Sequence, residues 1–292
     1  MQVIYNQEAQ KIELKALSDF DAKQIFTCGQ CFRWREIKTG YFRGVVEGRV
    51  IDVEQITDTT LVIYRVTKFF FETYLTEYFD LHTNYSRIKE ILTKDDPIMV
   101  KAVEAGAGIR ILNQNPFEML LTFIISGNNN IPRITKAIET ISNAYGTYIE
   151  TIEGVDYYSF PTQGQLKDVS VLDYRSIGVG YRDKYLYDAV QVINQGLIDL
   201  ELMHAYEDAL LKQTLMTIKG VGSKVADCII LFAYKRKTAF PIDTWVKKIM
   251  KRYYVEESAK DREILEYAVN KFGSLAGIAQ QYLFYYSRNN QK

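Results

Sequence analysis

The chain has 292 residues, of which 47% are hydrophobic and 25% charged, a composition typical of a folded protein with two or three subdomains. Its 36 basic and 36 acidic side chains cancel, so the net charge gives no indication for or against a nucleic-acid partner. The chain begins without an export signal and contains no apolar run long enough to cross a bilayer, so we expect a cytoplasmic, prokaryotic protein with no membrane partner.

The first 64 residues alternate polar and apolar positions, which is the pattern of strands in an antiparallel sheet. Six segments carry it: KIEL, QIFT, FRWREI, YFRGVV, RVIDVE and LVIYRV. Between two of them, Glu47 and Gly48 are typical of a hairpin turn. We therefore predict an N-terminal antiparallel sheet domain, together with the first helices, over residues 1–115.

From Thr67 onward the apolar residues recur at intervals of three and four, the spacing of amphipathic helices. Helices are predicted in KFFFETYLTEYF, YSRIKEIL, IMVKAVEAG and PFEMLLTFIIS, the last with Pro116 in its first turn. Further helices are predicted at 131–146, 165–177, 181–194, 201–217, 223–236, 244–253, 261–271 and 275–289. The predicted fold class is α+β, with an all-helical body over residues 116–292.

The segment IKGVGSK, residues 218–224, predicts two helices joined by a tight turn at Gly220 and Gly222, with Ser223 capping the second helix. Amides that open a helix bind phosphate, so this hairpin is suited to holding a nucleic-acid backbone without reading its sequence. A P-loop is excluded because its G-x-x-x-x-G-K-[ST] order is absent. Nine Lys and Arg against two Asp between residues 217 and 252 favour DNA here, although a solvated charged face has the same composition.

Lys224 and Asp243 are the candidate catalytic pair. We place Lys224 at the first helical position, where the positive end of the helix dipole favours the neutral amine that can attack carbon. Cys228 follows one turn later on the same face. In PIDTW, either Asp243 or Thr244 caps the next helix, and beside a nucleophilic lysine the carboxylate would stabilise a developing cation. A lysine that only binds phosphate and an aspartate that only caps are the alternatives.

These motifs carry a family resemblance. GVGSKVADC followed by PIDTW resembles the helix-hairpin-helix, Gly/Pro-Asp superfamily of base-excision DNA glycosylases, and the lysine is similar to that of its bifunctional members. Four further stretches, GQCFRW, ISGNNNIPRI, GVGYRDKY and AQQYLF, resemble the 8-oxoguanine DNA glycosylase/lyase family, in the same order over nearly the whole chain. The resemblance implies a monomeric base-excision repair enzyme that flips 8-oxoguanine, paired with cytosine, out of double-stranded DNA at the nucleoid.

The resemblance also implies a role for each matching residue. Lys224 would attack C1′ of the deoxyribose and form a Schiff base that permits β-elimination, while Asp243 would stabilise the oxocarbenium-like transition state. Four residues are implied to bind the damaged base. The carbonyl of Gly29 would accept the hydrogen that oxidation adds at N7. Cys228 and Phe284 would sandwich the ring, and Gln280 would contact its Watson–Crick edge. The residues implied to bind the orphaned cytosine and the DNA are Asn128, Asn129, Arg133, Tyr181, Arg182, Gly220, Gly222 and Val225.

Two positions depart from the family pattern. Trp245 stands where the family usually has histidine, and Pro132 precedes Arg133, so the stringency for the opposite base stays open. Three consecutive asparagines, Asn128 to Asn130, also predict a loop between helices, for which a plain capping turn is the alternative.

We expect no cofactor. The C-x-x-C of Cys28 and Cys31 lacks further ligands at zinc spacing and does not open a helix after a strand, which excludes zinc and a redox pair. No cysteine follows Cys228, so the iron–sulfur loop of the endonuclease III branch is absent. The family implies a structural cation at the carbonyls of residues 219–222. The rival functions are an alkylbase or other monofunctional glycosylase and a non-enzymatic helix-hairpin-helix DNA-binding protein.

Overall fold

The computed structural model describes residues 1–290 and has the predicted α+β architecture, an antiparallel sheet beside a helical body. The sheet has the strand order β1-β2-β6-β5-β4-β3, with every neighbouring pair antiparallel. Its strands are β1 Gln2–Asn6, β2 Lys11–Lys15, β3 Trp34–Lys38, β4 Tyr41–Val46, β5 Arg49–Thr57 and β6 Thr60–Tyr64. Glu47 and Gly48 both have positive φ, 46° and 69°, as a two-residue hairpin turn requires, which confirms the predicted turn.

The first helix corrects one strand prediction. QIFT belongs to α1, Ala22–Thr27, rather than to the sheet, and β1 was not predicted at all. Asp21 caps α1 by accepting a hydrogen bond from the amide of Gln24 at 2.8 Å, and the buried residues Ala22, Ile25 and Phe26 have helical spacing. Four residues are too few for periodicity to separate a strand from a helix, so the cap and the packing decide.

The other helices follow the predicted order. They are α2 Lys68–Phe70, α3 Thr76–Tyr78, α4 Tyr85–Thr93, α5 Pro97–Ala105, α6 Pro116–Ser126, α7 Ile131–Tyr145, α8 Val171–Ser176, α9 Asp183–Asn194, α10 Asp208–Met216, α11 Ser223–Ala233, α12 Thr244–Tyr253, α13 Asp261–Phe272 and α14 Ala276–Asn289. A π-helical turn joins α2 to α3. The α-helices predicted at 165–177 and 201–217 are shorter than expected, since turns occupy the start of the first segment and a 3-10 helix, Leu202–Ala205, the start of the second. No helix among the described residues is both long and apolar enough to span a membrane.

The helical body also contains a small hairpin that the sequence analysis missed. It consists of β7 Tyr148–Ile152 and β8 Val155–Tyr158. Neither strand has a fully buried residue, so the sequence does not need the regular alternation of apolar and polar residues by which a strand is predicted. Two ion pairs hold it against the sheet, Arg65 with Glu150 and Arg43 with Glu153. The hairpin therefore connects the two halves of the molecule.

Two hydrophobic cores organise the chain. One lies on the sheet, where the rings of Phe26 and Trp34 stack with centroids 4.0 Å apart. The other surrounds α6 and α11, each of which buries nine residues. This helical core includes residues from both sides of position 115, among them Cys28 and α5 residues that pack near α14. The division of the chain at 115 stays a prediction.

Candidate active site

A cavity of about 870 Å³ lies where α11 and α14 meet the loops that follow α1 and α6. Its size is in the range of pockets that enclose a small organic ligand. The sequence-predicted site residues that line it are Gly29, Asn128, Asn129, Arg133, Lys224, Cys228, Asp243, Gln280 and Phe284. Tyr181, Arg182, Gly220, Gly222 and Val225 lie outside its wall.

Helical spacing explains how two helices each present one row of side chains to the cavity. On α11, Lys224 and Cys228 are four residues apart, as the sequence indicated. On α14, Gln280, Phe284 and Arg288 follow one another at the same interval. Five chemically different side chains therefore line one cavity, although more than fifty residues separate the two rows in the sequence.

Lys224 is half-buried at the start of α11. Gly222, with φ −87° and ψ 179°, is the N-cap residue, and no side chain caps the helix, so the prediction that Ser223 is the cap is wrong. Lys224 is consequently the second helical residue rather than the first. Its Nζ lies 5.5 Å from the centre of the Phe123 ring, so the amine meets an aromatic wall of the cavity.

The turn that precedes α11 is held tightly against α9. Gly220 has φ +87°, and a Cβ there would lie 2.6 Å from Cγ of Tyr185, so only glycine fits. Lys219 forms an ion pair with Asp188 at 2.7 Å. Gly222 is exposed with no atom within 4 Å of a Cβ position, whereas the side chain of Val225 is buried. The backbone at Gly222 and the first amides of α11 thus form the outer surface of the hairpin.

The basic residues between 217 and 252 are less free than their number indicated. Five of the nine form ion pairs with acids elsewhere in the chain: Lys219, Lys235, Arg236, Lys237 and Lys247. Arg252 lies over the Tyr253 ring. Five positive charges of this segment are therefore paired with acids outside residues 217–252, so the count of basic residues alone does not measure the charge available to DNA.

Asp243 begins α12. Its Oδ1 accepts a hydrogen bond from the amide of Val246 at 2.8 Å, so Asp243 rather than Thr244 is the cap. The carboxyl group is half-buried at the cavity wall. Burial raises its pKa, against the opposing effects of the Val246 amide and the positive charge of Lys224. Lys224 and Asp243 therefore line one cavity, where the charge of the lysine acts on the carboxyl group.

Cys228 and Gln280 contribute buried polar atoms. Burial raises the pKa of the Cys228 thiol to about 11, so it is protonated at neutral pH. The Gln280 amide donates from Nε2 to the carbonyl of Pro241 at 3.1 Å. Its Oε1 is buried and accepts no hydrogen bond from residues 1–290. An acceptor is thus held in the wall of the cavity without a partner.

Buried amides that the sequence analysis missed hold the segment around Gly29. Gly29 has φ +87°, and Gln281 donates to the preceding carbonyl, that of Cys28, at 3.1 Å. Gln30 is fully buried, donates to the carbonyl of Arg110 and accepts from the amide of Leu112, both at 2.8 Å. The sequence signals for this arrangement are Gln30, next to Gly29, and Gln281, next to Gln280.

The asparagines form the predicted loop between α6 and α7. Asn130 caps α7 by accepting from the amide of Arg133, and Asn129 donates to the carbonyl of Ile125 at 3.1 Å. Asn128 has φ 51° and is exposed, as is Arg133. Two of the three asparagines therefore stabilise the turn, and Asn128 presents its amide at the mouth of the cavity.

Arg182 was predicted to hold the opposite base directly, but its side chain is engaged within the protein. It is 8% exposed and donates to the carbonyls of Gly127, Asn128 and Val179. The guanidinium lies 4.5 Å from the ring centre of Tyr181, which is itself 59% exposed. Arg182 therefore supports the asparagine loop, and the neighbouring Tyr181, in the turn Gly180–Arg182, is exposed.

Trp245, at the position where histidine is usual, lines the cavity beside Asp243. Its carbonyl accepts a hydrogen bond from Oγ of Ser287 at 3.0 Å. Lys248 lies 6.0 Å from its ring centre. An indole at this place supplies an apolar surface and no group that titrates near neutral pH.

The three cysteines are buried free thiols. Burial raises the pKa of Cys28 to about 11. Within residues 1–290, no three His, Cys, Asp or Glu side chains are grouped so as to bind a metal ion.

Comparison with known proteins relates both halves of the chain to one repair family. Residues 12–120 match the N-terminal domain of 8-oxoguanine DNA glycosylase, and residues 121–274 match the HhH-GPD superfamily base excision DNA repair protein. The N-glycosylase/DNA lyase OGG1 of Arabidopsis thaliana is 30% identical over 277 residues, which cover 89% of this chain and 75% of that protein.

Solved structures are closer still. The 8-oxoguanine glycosylase/lyase of Clostridium acetobutylicum, in complex with double-stranded DNA containing cytosine opposite 8-oxoG, is 41% identical with a TM-score of 0.96, covering 100% of this chain and 99% of that one. MBOgg1, in complex with a low affinity DNA ligand, is 40% identical with a TM-score of 0.95 and full coverage of both chains.

Proposed function

The chain belongs to the 8-oxoguanine DNA glycosylase family of the helix-hairpin-helix base-excision repair superfamily, and from this membership we propose that it removes 8-oxoguanine paired with cytosine from duplex DNA. The observation that carries the proposal is the presence of Lys224 and Asp243 on the wall of one cavity with room for a purine. The target nucleotide must leave the stack to enter it, because its glycosidic carbon is inaccessible within a duplex.

The chemistry begins with attack by the uncharged Nζ of Lys224 on C1′ of the flipped nucleotide. The new C–N bond forms as the glycosidic bond breaks, and the base leaves with the bonding electron pair and gains a proton. The amine gives up one proton, which balances the one gained by the base, and the sugar ring then opens, its oxygen taking a proton from solvent, to a Schiff base whose nitrogen keeps the other proton. Removal of a proton from C2′ then expels the 3′ phosphate by β-elimination. Asp243, fixed by its hydrogen bond to Val246, stabilises the positive charge that develops on the sugar.

The damaged base would be recognised by the two helical rows and the Gly29 segment. The Gly29 carbonyl would accept the N7 hydrogen that only the oxidised base carries. Buried glutamines anchor the neighbouring backbone: Gln281 donates to the carbonyl of Cys28, and Gln30 accepts from the amide of Leu112. Cys228 and Phe284 are on opposite helices, where they can lie against the two faces of the ring. The unpartnered Oε1 of Gln280 is suited to accept from the amino or imino hydrogens of the Watson–Crick edge.

Contacts to the opposite strand would come from the exposed part of the asparagine loop. Asn128 and Arg133, both exposed, would hydrogen-bond the orphaned cytosine, and the exposed Tyr181 and half-buried Asn129 would occupy the space that the lesion leaves. Arg182 takes part by holding the loop carbonyls rather than by touching the base.

The hairpin would position the DNA backbone. The exposed backbone at Gly220 and Gly222 and the first amides of α11, including that of Val225, face a phosphate approaching the helix N-terminus. A structural cation at the carbonyls of residues 219–222 is part of this proposal. The chemistry itself uses only protein side chains and needs no metal, iron–sulfur cluster or organic cofactor.

Trapping with borohydride tests the mechanism. A duplex containing 8-oxoguanine opposite cytosine should give a covalent complex with the wild-type protein, because borohydride reduces the Schiff base to a stable amine. Lys224→Gln should abolish the complex and strand cleavage while the protein still binds the duplex. Lys219→Gln is the matched control, since Lys219 is an exposed hairpin lysine engaged with Asp188. Base release that persists in Lys224→Gln would indicate a monofunctional glycosylase, and equal binding of undamaged DNA without cleavage would indicate a binding module.

A further inference from the structure

Arg288 occupies the last turn of α14, one turn after Phe284, and lines the cavity. Its Nη2 donates to the carbonyl of Thr27 at 2.9 Å. Its guanidinium carbon lies 5.2 Å from the ring centre of Phe284 and 5.7 Å from that of Tyr285. The hydrogen bond and the two aromatic contacts fix the plane of the group.

The other terminal nitrogen of Arg288 has no partner. Nη1 is buried and makes no hydrogen bond within residues 1–290. It lies 3.5 Å from the position of a Cβ on Gly29. A buried donor on a charged group that lacks an acceptor is destabilising, so this nitrogen favours any ligand that brings an acceptor to that place.

The position beside Gly29 is where the damaged base differs from guanine. Oxidation changes two neighbouring atoms of the imidazole ring: N7 becomes a hydrogen-bond donor and C8 gains a carbonyl oxygen. The carbonyl group of Gly29 would accept a hydrogen bond from the N7–H that the first change creates. The C8 oxygen is an acceptor next to it, whereas guanine has a C–H at C8 that accepts no hydrogen bond.

We propose that Arg288 is a specificity-determining residue that donates from Nη1 to the C8 oxygen of 8-oxoguanine. The inference rests on the proposed function and extends it: the protein would recognise the C8 oxygen of the oxidised base as well as its N7–H. Thr27, whose carbonyl holds Nη2, is only two residues before Gly29, so one segment positions both the acceptor for N7–H and the donor for the C8 oxygen. Guanine offers Nη1 no C8 oxygen and places a C–H there instead.

Kinetics of the Arg288→Gln variant provide the first test. Under single-turnover conditions, 8-oxoguanine release should fall about 10- to 100-fold, the usual penalty when a site loses a hydrogen bond built for its substrate. Cleavage of a preformed abasic site by the same preparation reports folding, DNA binding and Lys224 independently, because no base enters the cavity. Arg87→Gln, a change on the exposed surface of α4, is the matched control. Unchanged base release, or an equal fall in both activities, would overturn the inference.

A change of the substrate atom provides the second test. In the Lys224→Gln background, which keeps the base attached, affinity is compared for duplexes that contain 8-oxoguanine or 8-thioguanine. The thio base retains N7–H but has sulfur, a weaker acceptor, at C8. Adding Arg288→Gln should weaken 8-oxoguanine binding about tenfold and 8-thioguanine binding less than about threefold. The same factor for both duplexes would show that Arg288 does not contact the C8 atom. A wild-type protein that releases no 8-oxoguanine would instead overturn the proposed function.

Discussion

Asp243 accepts a hydrogen bond from the amide of Val246 at 2.8 Å, so the carboxylate at the wall of the cavity is also the cap of α12. The bond holds the group in one orientation, and the helix N-terminus favours its negative charge. The structural role and the proposed chemical role therefore belong to one side chain. Separating them requires a substitution that keeps the cap and removes the charge.

Asp243→Asn is that substitution, because asparagine caps a helix about as well as aspartate. We expect base release to slow by roughly 10²–10⁴-fold, since the charge opposite the developing cation is lost, with little change in DNA affinity. Asp243→Ala is the comparison, and its loss of the cap should lower the free energy of unfolding by about 1 kcal/mol. Single-turnover rates and denaturant unfolding measure the two effects. A fully active Asp243→Asn protein would leave capping as the only role of this residue.

The pH dependence of base release should show the same carboxylate. Burial raises the pKa of Asp243, so the ionised form that would stabilise the cation is lost at a higher pH than for an exposed aspartate. Because the folded-state pKa lies above the unfolded one, protonation favours folding, and this stabilisation disappears as pH rises through the folded pKa. Asp243→Asn should therefore be at least as stable as wild type at neutral pH. The residual rate of base release by Asp243→Asn should not fall at acidic pH. A rate that still falls would show that another group titrates there.

Gly220→Ala should distort the hairpin. Position 220 has φ +87°, and the new methyl would lie 2.6 Å from Cγ of Tyr185, so we expect a loss of roughly 2–4 kcal/mol of stability from backbone strain and overlap. Gly154→Ala is the control, because it also has positive φ, 79°, but meets no atom within 4 Å. It should lose only the backbone part, about 1–2 kcal/mol. Chemical denaturation measures both, and affinity for an undamaged duplex should fall only for Gly220→Ala.

Arg182 and Arg133 should respond differently to substitution. Arg182→Ala leaves three loop and turn carbonyls without their buried donor, so we expect a loss of about 2 kcal/mol of stability together with slower base release. Arg133 is exposed, and Arg133→Ala should change stability by less than about 0.5 kcal/mol. Its effect should appear as a reduced preference for cytosine over adenine opposite the lesion. Thermal unfolding and release rates from both duplexes distinguish these outcomes, and an unstable Arg133→Ala would contradict its assignment.

Local patterns in the sequence were sufficient for much of the fold. The Glu47-Gly48 turn was predictable because two successive positive φ angles select such residues. The boundaries of α12 and α14 were predictable because caps and four-residue spacing act within a few positions. QIFT and the hairpin β7-β8 were not predictable, since a short segment fits both the helical and the strand period, and its packing against the rest of the chain decides between them.

For the candidate site, the motifs indicated which residues share a helical face, and family resemblance indicated which faces meet. The sequence alone therefore determined Lys224 beside Cys228 and Gln280 beside Phe284, because helical geometry relates residues one turn apart. Only the tertiary structure decided that Arg182 serves the loop, that five basic residues are neutralised by distant acids, and that an unpartnered nitrogen of Arg288 lies beside Gly29. Hydrogen bonds and ion pairs across dozens of residues depend on how the chain packs, which no local spacing encodes.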